Sequence, residues 1–324
     1  MTTDARTLPA RIENDDPSVD TLAWLREHHE RLERELLGSG AVLLRNFRVD
    51  TPARFQEVVA GLDERTLEYN ERSSPRTQVL GNIYTSTDYP PQYRIYLHNE
   101  SSYSSTWPLR LFFCCTIPAA TGGETPLADS RRIHERVPAE IRERFARLGV
   151  MYVRNFNPHM GLSWSTSFQT DDRATVEEHC RQAGIQFEWL SGDRLRTRHV
   201  RPAVARHPVT GEWTWFNHAT FFHVSTLEPM MRDLLLASYA EEDLPNNTYY
   251  GDGSPIEDDV LTELRRIYEE ETVAFPWERG DLLLVENMLV AHGRSSFTGE
   301  RKVLVAMSQS MDDGRLAEAV AALQ

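Results

Sequence analysis

The chain has 324 residues, 40% hydrophobic and 26% charged, the profile of a folded, enzyme-sized protein rather than a disordered or fibrous one. Its 49 acidic against 35 basic residues give a formal charge of −14, so neither a nucleic-acid backbone nor an anionic membrane surface is an expected partner. No stretch reaches the ~20 apolar residues of a membrane helix, and three Cys, two of them adjacent, fit a reducing cytoplasm better than a disulfide scaffold.

In chain order, residues 1–17 are polar and are expected to form a flexible tail. Asp20 to Leu37 carries leucines at helical spacing and stops at Gly38 and Gly40, which predicts one helix. GAVLLRNF (40–47) reads as a strand, and Thr51-Pro52 as the N-cap and first residue of a second helix. The stretch 64–95 reads as loop, a candidate lid or pocket wall containing Tyr84, Thr85 and Tyr89. Beyond it the pattern is mainly strand and turn. LRLFFCCTIP (109–118) is a buried strand in which Cys114 and Cys115 are core. Helices are expected at 138–148, 175–183, 228–240 and 255–271. A hairpin is expected at 207–216, with Thr210-Gly211 at its tip. The last strands are GDLLLVENMLVAH (280–292) and RKVLVAM (301–307). With no repeat and no linker, residues 1–324 read as one domain, an antiparallel β core wrapped by helices.

The chemistry concentrates in three places. His98-Asn99-Glu100 follows the strand-like YRIYL, and residues i and i+2 of a strand share a face, so His98 and Glu100 can grip one ion. A short H-x-E arises easily by chance, and alone it reads as a polar strand end. His292, at the end of an apolar strand, changes the weighing. Two imidazoles and one carboxylate form the facial triad that leaves open positions on a non-haem Fe(II), whereas a structural zinc site is usually closed by four protein ligands. Third, Arg301 shares a face with Val303 and Val305. An arginine on a buried face needs an anion, and its fork suits a carboxylate. The His residues at 28–29 read as surface, and those at 218 and 223 mostly as packing.

In these residues, and in LHNESSY (97–103), GGETPLADSR (122–131), RPAVARHPVTGEWTWFN (201–217), YYGDGSPI (249–256) and ENMLVAHGRSSFTGERKVLVAM (286–307), the sequence resembles the taurine dioxygenase-like family of Fe(II)/2-oxoglutarate-dependent dioxygenases. The resemblance is greater to its syringomycin-biosynthesis hydroxylase-like branch. It implies a mainly β, α+β fold with a double-stranded β-helix (jelly-roll) core. It also implies iron ligation by His98, Glu100 and His292, with 2-oxoglutarate held by Arg301 and Thr125, and O2 as cosubstrate. Asn99, Ser102, Tyr103, Asn217 and Arg294 become substrate-side candidates. The implied activity is hydroxylation of an amino acid or amino-acid-derived intermediate, free or tethered to a carrier protein, in natural-product biosynthesis. Desaturation, epoxidation or cyclisation would follow from the same iron chemistry. The carboxylate at Glu100 argues against halogenation, which leaves that position to chloride. Val305 occupies the place of a second, substrate-binding arginine found in some members, which points to a substrate whose carboxylate is masked. The run Arg194–Arg198 is a candidate docking patch for an acidic carrier. Competing readings on the same residues are a zinc hydrolase and a non-catalytic jelly-roll module.

Overall fold

A computed structural model describes residues 7–16, 18–62, 65–68, 76–158 and 160–323. Its centre is a seven-stranded sheet in the order Ala10–Glu13, Ala41–Arg45, Leu282–Glu286, Thr106–Ile117, Lys302–Asp312, Ile83–Thr85, Gln78–Leu80. The first two strands are parallel and the others antiparallel. A three-stranded sheet, Ile95–His98, Val290–Arg294 and Leu127–Asp129, forms the opposite wall of the jelly roll. A four-stranded sheet, Gln186–Leu190, Arg194–Arg201, Val150–Phe156 and Asn246–Tyr250, extends it on one side.

The sequence reads as continuous apolar runs because the large sheet is buried on both faces. Along Thr106–Ile117, Phe112 and Cys114 face one cluster, while Leu111, Phe113 and Cys115 face another. The strands Ala41–Arg45, Leu282–Glu286 and Lys302–Asp312 divide in the same way. The first cluster is closed by the helices Thr21–Glu27, His29–Ser39 and Pro52–Leu62. The second fills the jelly-roll interior, where each fully buried Leu, Val or Phe contributes about 1.5–3 kcal/mol.

Several expectations need correction. The segment 1–17 is not simply a tail, because Ala10–Glu13 pairs with Val42–Arg45 as the outer strand; residues 1–6 and 17 lie outside the described residues. Within the expected loop 64–95, Gln78–Leu80 and Ile83–Thr85 are strands, and 64 and 69–75 lie outside the described residues. The first helix is two helices, broken at His28, which stacks on Trp24. The expected strand 280–292 is also two strands. Leu282–Glu286 belongs to the large sheet and Val290–Arg294 to the small one, and Asn287 turns the chain between them. The hairpin forms, but its paired strands are Val204–Arg206 and Trp213–Trp215, so 207–212 of the expected 207–216 is its loop; Trp215 is buried and Trp213 half exposed.

Candidate metal and cosubstrate site

The corner at Asn287 brings the two histidines together. It lays Val290–Arg294 antiparallel to Ile95–His98, with His292 directly opposite His98. Cross-strand partners project from the same face, and the two ring centroids lie 4.6 Å apart. The strand ends at His98, so Glu100 does not share it as the i, i+2 argument assumed; it sits in the turn that follows, where Ser101 is left-handed. Even so, one ligand atom each from His98, Glu100 and His292 lies within 4.8 Å of the others.

Backbone hydrogen bonds hold Glu100 there. Its N–H donates to Asn287 Oδ1 at 2.7 Å, and Asn287 Nδ2 donates to its carbonyl at 2.9 Å and to the Pro108 carbonyl at 2.8 Å. Asn99 points the other way, into the protein. Its Nδ2 donates to the Asn287 carbonyl and to Ser130 Oγ, and the residue has no exposed surface. Asn99 is therefore a brace rather than a substrate contact.

The donor set fits a metal. His98 Nδ1 lies 2.9 Å from the Tyr96 carbonyl, which fixes the N–H on that nitrogen and leaves the Nε2 lone pair facing the site. His292 Nε2 lies 3.8 Å from Glu100 Oε2. Burial pushes the protonation of His98 down, and that of His292 well down, so both imidazoles are held as neutral, ligand-competent bases. Arg76, unnoticed in the sequence, reaches the same carboxylate: its Nη2 lies 2.6 Å from Glu100 Oε2, with both side chains buried.

Beside this cluster, Arg301 donates through Nε to the Gly123 carbonyl at 2.7 Å and through Nη1 to Ser86 Oγ at 3.1 Å. No carboxylate among the described residues lies within ion-pair distance of it. Burial, aided by the charge of Arg294, lowers its pKa to about 10. A guanidinium held in this way favours an incoming anion. The approach demands Gly123: its φ is +75°, and a Cβ there would stand 3.0 Å from Arg301 Cδ. Thr125 is buried; its Oγ1 accepts from Trp277 Nε1 at 3.1 Å, which leaves the hydroxyl proton to donate.

The remaining candidates lie elsewhere. In front of the cluster lies a chamber of about 540 Å³ lined by Tyr89, Tyr93, Phe156, Phe221 and Phe222 among others, and Ser102 and Tyr103 do not line it. Ser102 Oγ bonds His218 Nδ1 at 2.5 Å, and Tyr103 packs edge-on against the His218 ring. The element that reaches the site is His218 itself, with Phe221: the rings lie 5.4 and 4.6 Å from His98, and Phe221 is stacked on it. Asn217 closes a local turn, donating to the Ala203 carbonyl and accepting from Ala219 N–H. Arg294 binds backbone, donating at 2.9 Å to the carbonyls of Tyr89, Pro90 and Tyr93, and so fixes the loop that walls the chamber. In the Arg194–Arg198 run, Arg196 is buried against Asp243 at 2.7 Å, while Arg194 and Arg198 are partly exposed, 3.9 Å from Asp243 and 4.0 Å from Glu188.

A jelly roll carrying two histidines and a carboxylate beside a buried arginine defines a class of iron oxygenases. The profile of the taurine catabolism dioxygenase TauD, TfdA family matches residues 4–307, and the chain belongs to that family. It is 38% identical over 279 residues to a dapdiamide synthesis protein of Enterobacter agglomerans, covering 86% of this chain and 85% of that one. It is 32% identical over 291 residues to a clavaminate synthase-like protein of Arabidopsis thaliana, covering 85% and 83%. Among solved structures, PvcB from Pseudomonas aeruginosa shares the fold with a TM-score of 0.54 at 15% identity, covering 92% of this chain and 84% of that one. AAD-2 in complex with Mn(II) and N-oxalylglycine also has a TM-score of 0.54, at 11% identity, covering 94% and 95%. The chain is thus a non-haem iron dioxygenase with 2-oxoglutarate and O2 as cosubstrates, which sets aside the zinc-hydrolase and non-catalytic readings.

Proposed function

We propose that this dioxygenase oxidises an unactivated C–H bond of an amino acid or amino-acid-derived intermediate in a biosynthetic pathway, most simply by hydroxylation, as a single cytoplasmic catalytic domain. The observation that carries the site is the convergence of His98, Glu100 and His292 within 4.8 Å. Similarity to a dapdiamide synthesis protein supports a biosynthetic setting.

In this reading His98, Glu100 and His292 hold Fe(II), and Arg301 and Thr125 hold the distal carboxylate of 2-oxoglutarate. The iron, when bound, supplies the coupling of O2 reduction and 2-oxoglutarate decarboxylation to substrate oxidation. The protein's own contribution is geometric. Tyr96 orients His98, Asn287 holds the Glu100 backbone, and Phe221 lies over His98 and keeps water from that face. Arg301 orients the cosubstrate with a charge-assisted, bidentate-capable fork, and Thr125 adds a neutral donor.

Succinate release from 2-oxoglutarate under Fe(II), ascorbate and O2 tests the reading. His98→Ala and Glu100→Ala should abolish it; turnover at the wild-type rate in either variant would remove that residue from the iron site.

A further inference from the structure

The motif RHPVTGEW (206–213) supplies none of the residues of the iron corner, yet the loop it encodes reaches that corner from outside. The loop is closed on itself. Gly211 N–H donates to the His207 carbonyl and His207 N–H to the Glu212 carbonyl, both at 2.9 Å. Val209 and Thr210 N–H donate to His207 Nδ1 at 3.3 and 3.1 Å. With Nδ1 accepting, the ring proton stands on Nε2, which donates to Glu286 Oε1 at 3.2 Å. Both side chains are buried, and Arg110 Nε lies 3.7 Å from the other carboxylate oxygen. Glu286 is the immediate neighbour of Asn287, whose side chain holds the Glu100 backbone. At the far end of the loop, Glu212 Oε2 accepts from Arg131 Nη1 at 3.1 Å. Arg131 is buried and also grips Asp129. Between those two residues stands Ser130, whose Oγ accepts from Asn99 Nδ2. One short loop therefore abuts both braces of the His98-Asn99-Glu100 turn.

We infer that the loop 207–212 positions the turn that carries Glu100. His207 is the main positioning residue, acting through Glu286 and Asn287, and Glu212 is a second, acting through Arg131 and Ser130. Neither touches metal or substrate. A carboxylate as deeply buried as Glu286 needs its donors. Without the imidazole N–H, the end of the strand Leu282–Glu286 must re-seat toward another partner, and Asn287 moves with it. The consequence for metal binding rests on Glu100 as an iron ligand, as proposed above, whereas the hold on the turn is a property of the metal-free fold.

The test is amide exchange of the metal-free full chain, followed by Mn(II) titration calorimetry. His207→Asn keeps an acceptor for the Val209 and Thr210 N–H groups but is too short to reach Glu286. Segment 98–102 should then exchange about tenfold faster than in wild type, while 111–115 in the large sheet holds its rate. His207→Gln, whose amide nitrogen reaches as far as the imidazole Nε2, should return the turn to within about threefold of wild type. Mn(II) affinity should fall about 3- to 10-fold in His207→Asn. The same substitution should add no further loss to Asn287→Leu, because residues in one chain of contacts are not additive. Wild-type exchange at 98–102 in folded His207→Asn would overturn the inference. So would acceleration spread equally over 111–115, which marks general loss of stability, or fully additive losses with Asn287→Leu. If His207→Asn fails to fold, Glu212→Ala carries the comparison: faster exchange at 98–102 alone supports the inference, and a wild-type rate overturns it. Faster exchange with Mn(II) affinity untouched would sink Glu100 as a ligand and leave the role of the loop standing.

Discussion

The metal corner and the chamber wall are built by different means. In the corner, the two histidines hang on regular structure as cross-strand partners, and Glu100, in the turn after the strand, is held through its backbone by Asn287. Around the chamber, strand residues such as Ile95 and Phe156 form part of the wall, and loop and short helix form the rest. Thr87–Tyr93 is tied down mainly by Arg294 through four carbonyls, with Phe297 N–H on the Pro91 carbonyl, and Pro229–Ser238 leaves Met230, Met231 and Leu234 exposed beside the opening. The contrast teaches a division of labour: the part that must place atoms within tenths of an ångström is locked by the sheet, and the part that selects a substrate is carried on elements that can vary.

The sharpest way to break this comparison is to strike the corner. Glu100→Ala should remove iron binding and turnover together, and metal content of the purified protein by elemental analysis checks it. Asn287→Leu comes next. It leaves the Glu100 and Pro108 backbone groups without their partner in a buried place, at about 1–3 kcal/mol per group, and should weaken Mn(II) binding about 10- to 100-fold while the ligands themselves are intact. Unchanged affinity would mean that the corner needs no brace. Arg301→Ala should raise the 2-oxoglutarate KM about 10- to 100-fold with a smaller effect on metal affinity, the loss of about 1.5–3 kcal/mol of charged hydrogen bonding. Arg294→Ala probes the wall. Amide exchange in 87–93 should speed up and substrate KM should rise, while metal affinity holds.

The smallest effect concerns pH. Burial lowers the protonation of His98, drives those of His218 and His292 well down, and brings His223 to about 4. Unfolded, these histidines take up protons near pH 6.5, so the unfolded chain binds more protons below that value. The metal-free protein should therefore keep its full histidine contribution above about pH 6.5 and lose stability as the pH falls toward 4. Thermal melts across that window check the sign.

Much of the corner was legible in the sequence, and little of the wall. His98, Glu100, His292 and Arg301 stand in segments whose residue types suggest their chemistry, whereas Thr125 is singled out only by the family resemblance. The hydrophobic runs named the strands that carry them. The turn at Asn287 was hidden because Glu286-Asn287-Met288 sits inside an apolar run, and its side chain acts through a residue 187 positions away. Arg76 gave no local signal, because it lies in a polar stretch. Arg294, Asn99 and Asn217 look functional in the sequence because they are polar residues within the motifs, and in the fold each satisfies buried backbone.

The most direct measurement of the central claim is anaerobic titration of the Fe(II)-loaded protein with 2-oxoglutarate, followed by visible absorption. A saturable charge-transfer band should appear in wild type, be absent in His98→Ala, Glu100→Ala and His292→Ala, and shift to higher 2-oxoglutarate concentration in Arg301→Ala. A band of wild-type strength in any of the three ligand variants, or an unshifted titration in Arg301→Ala, would contradict the account.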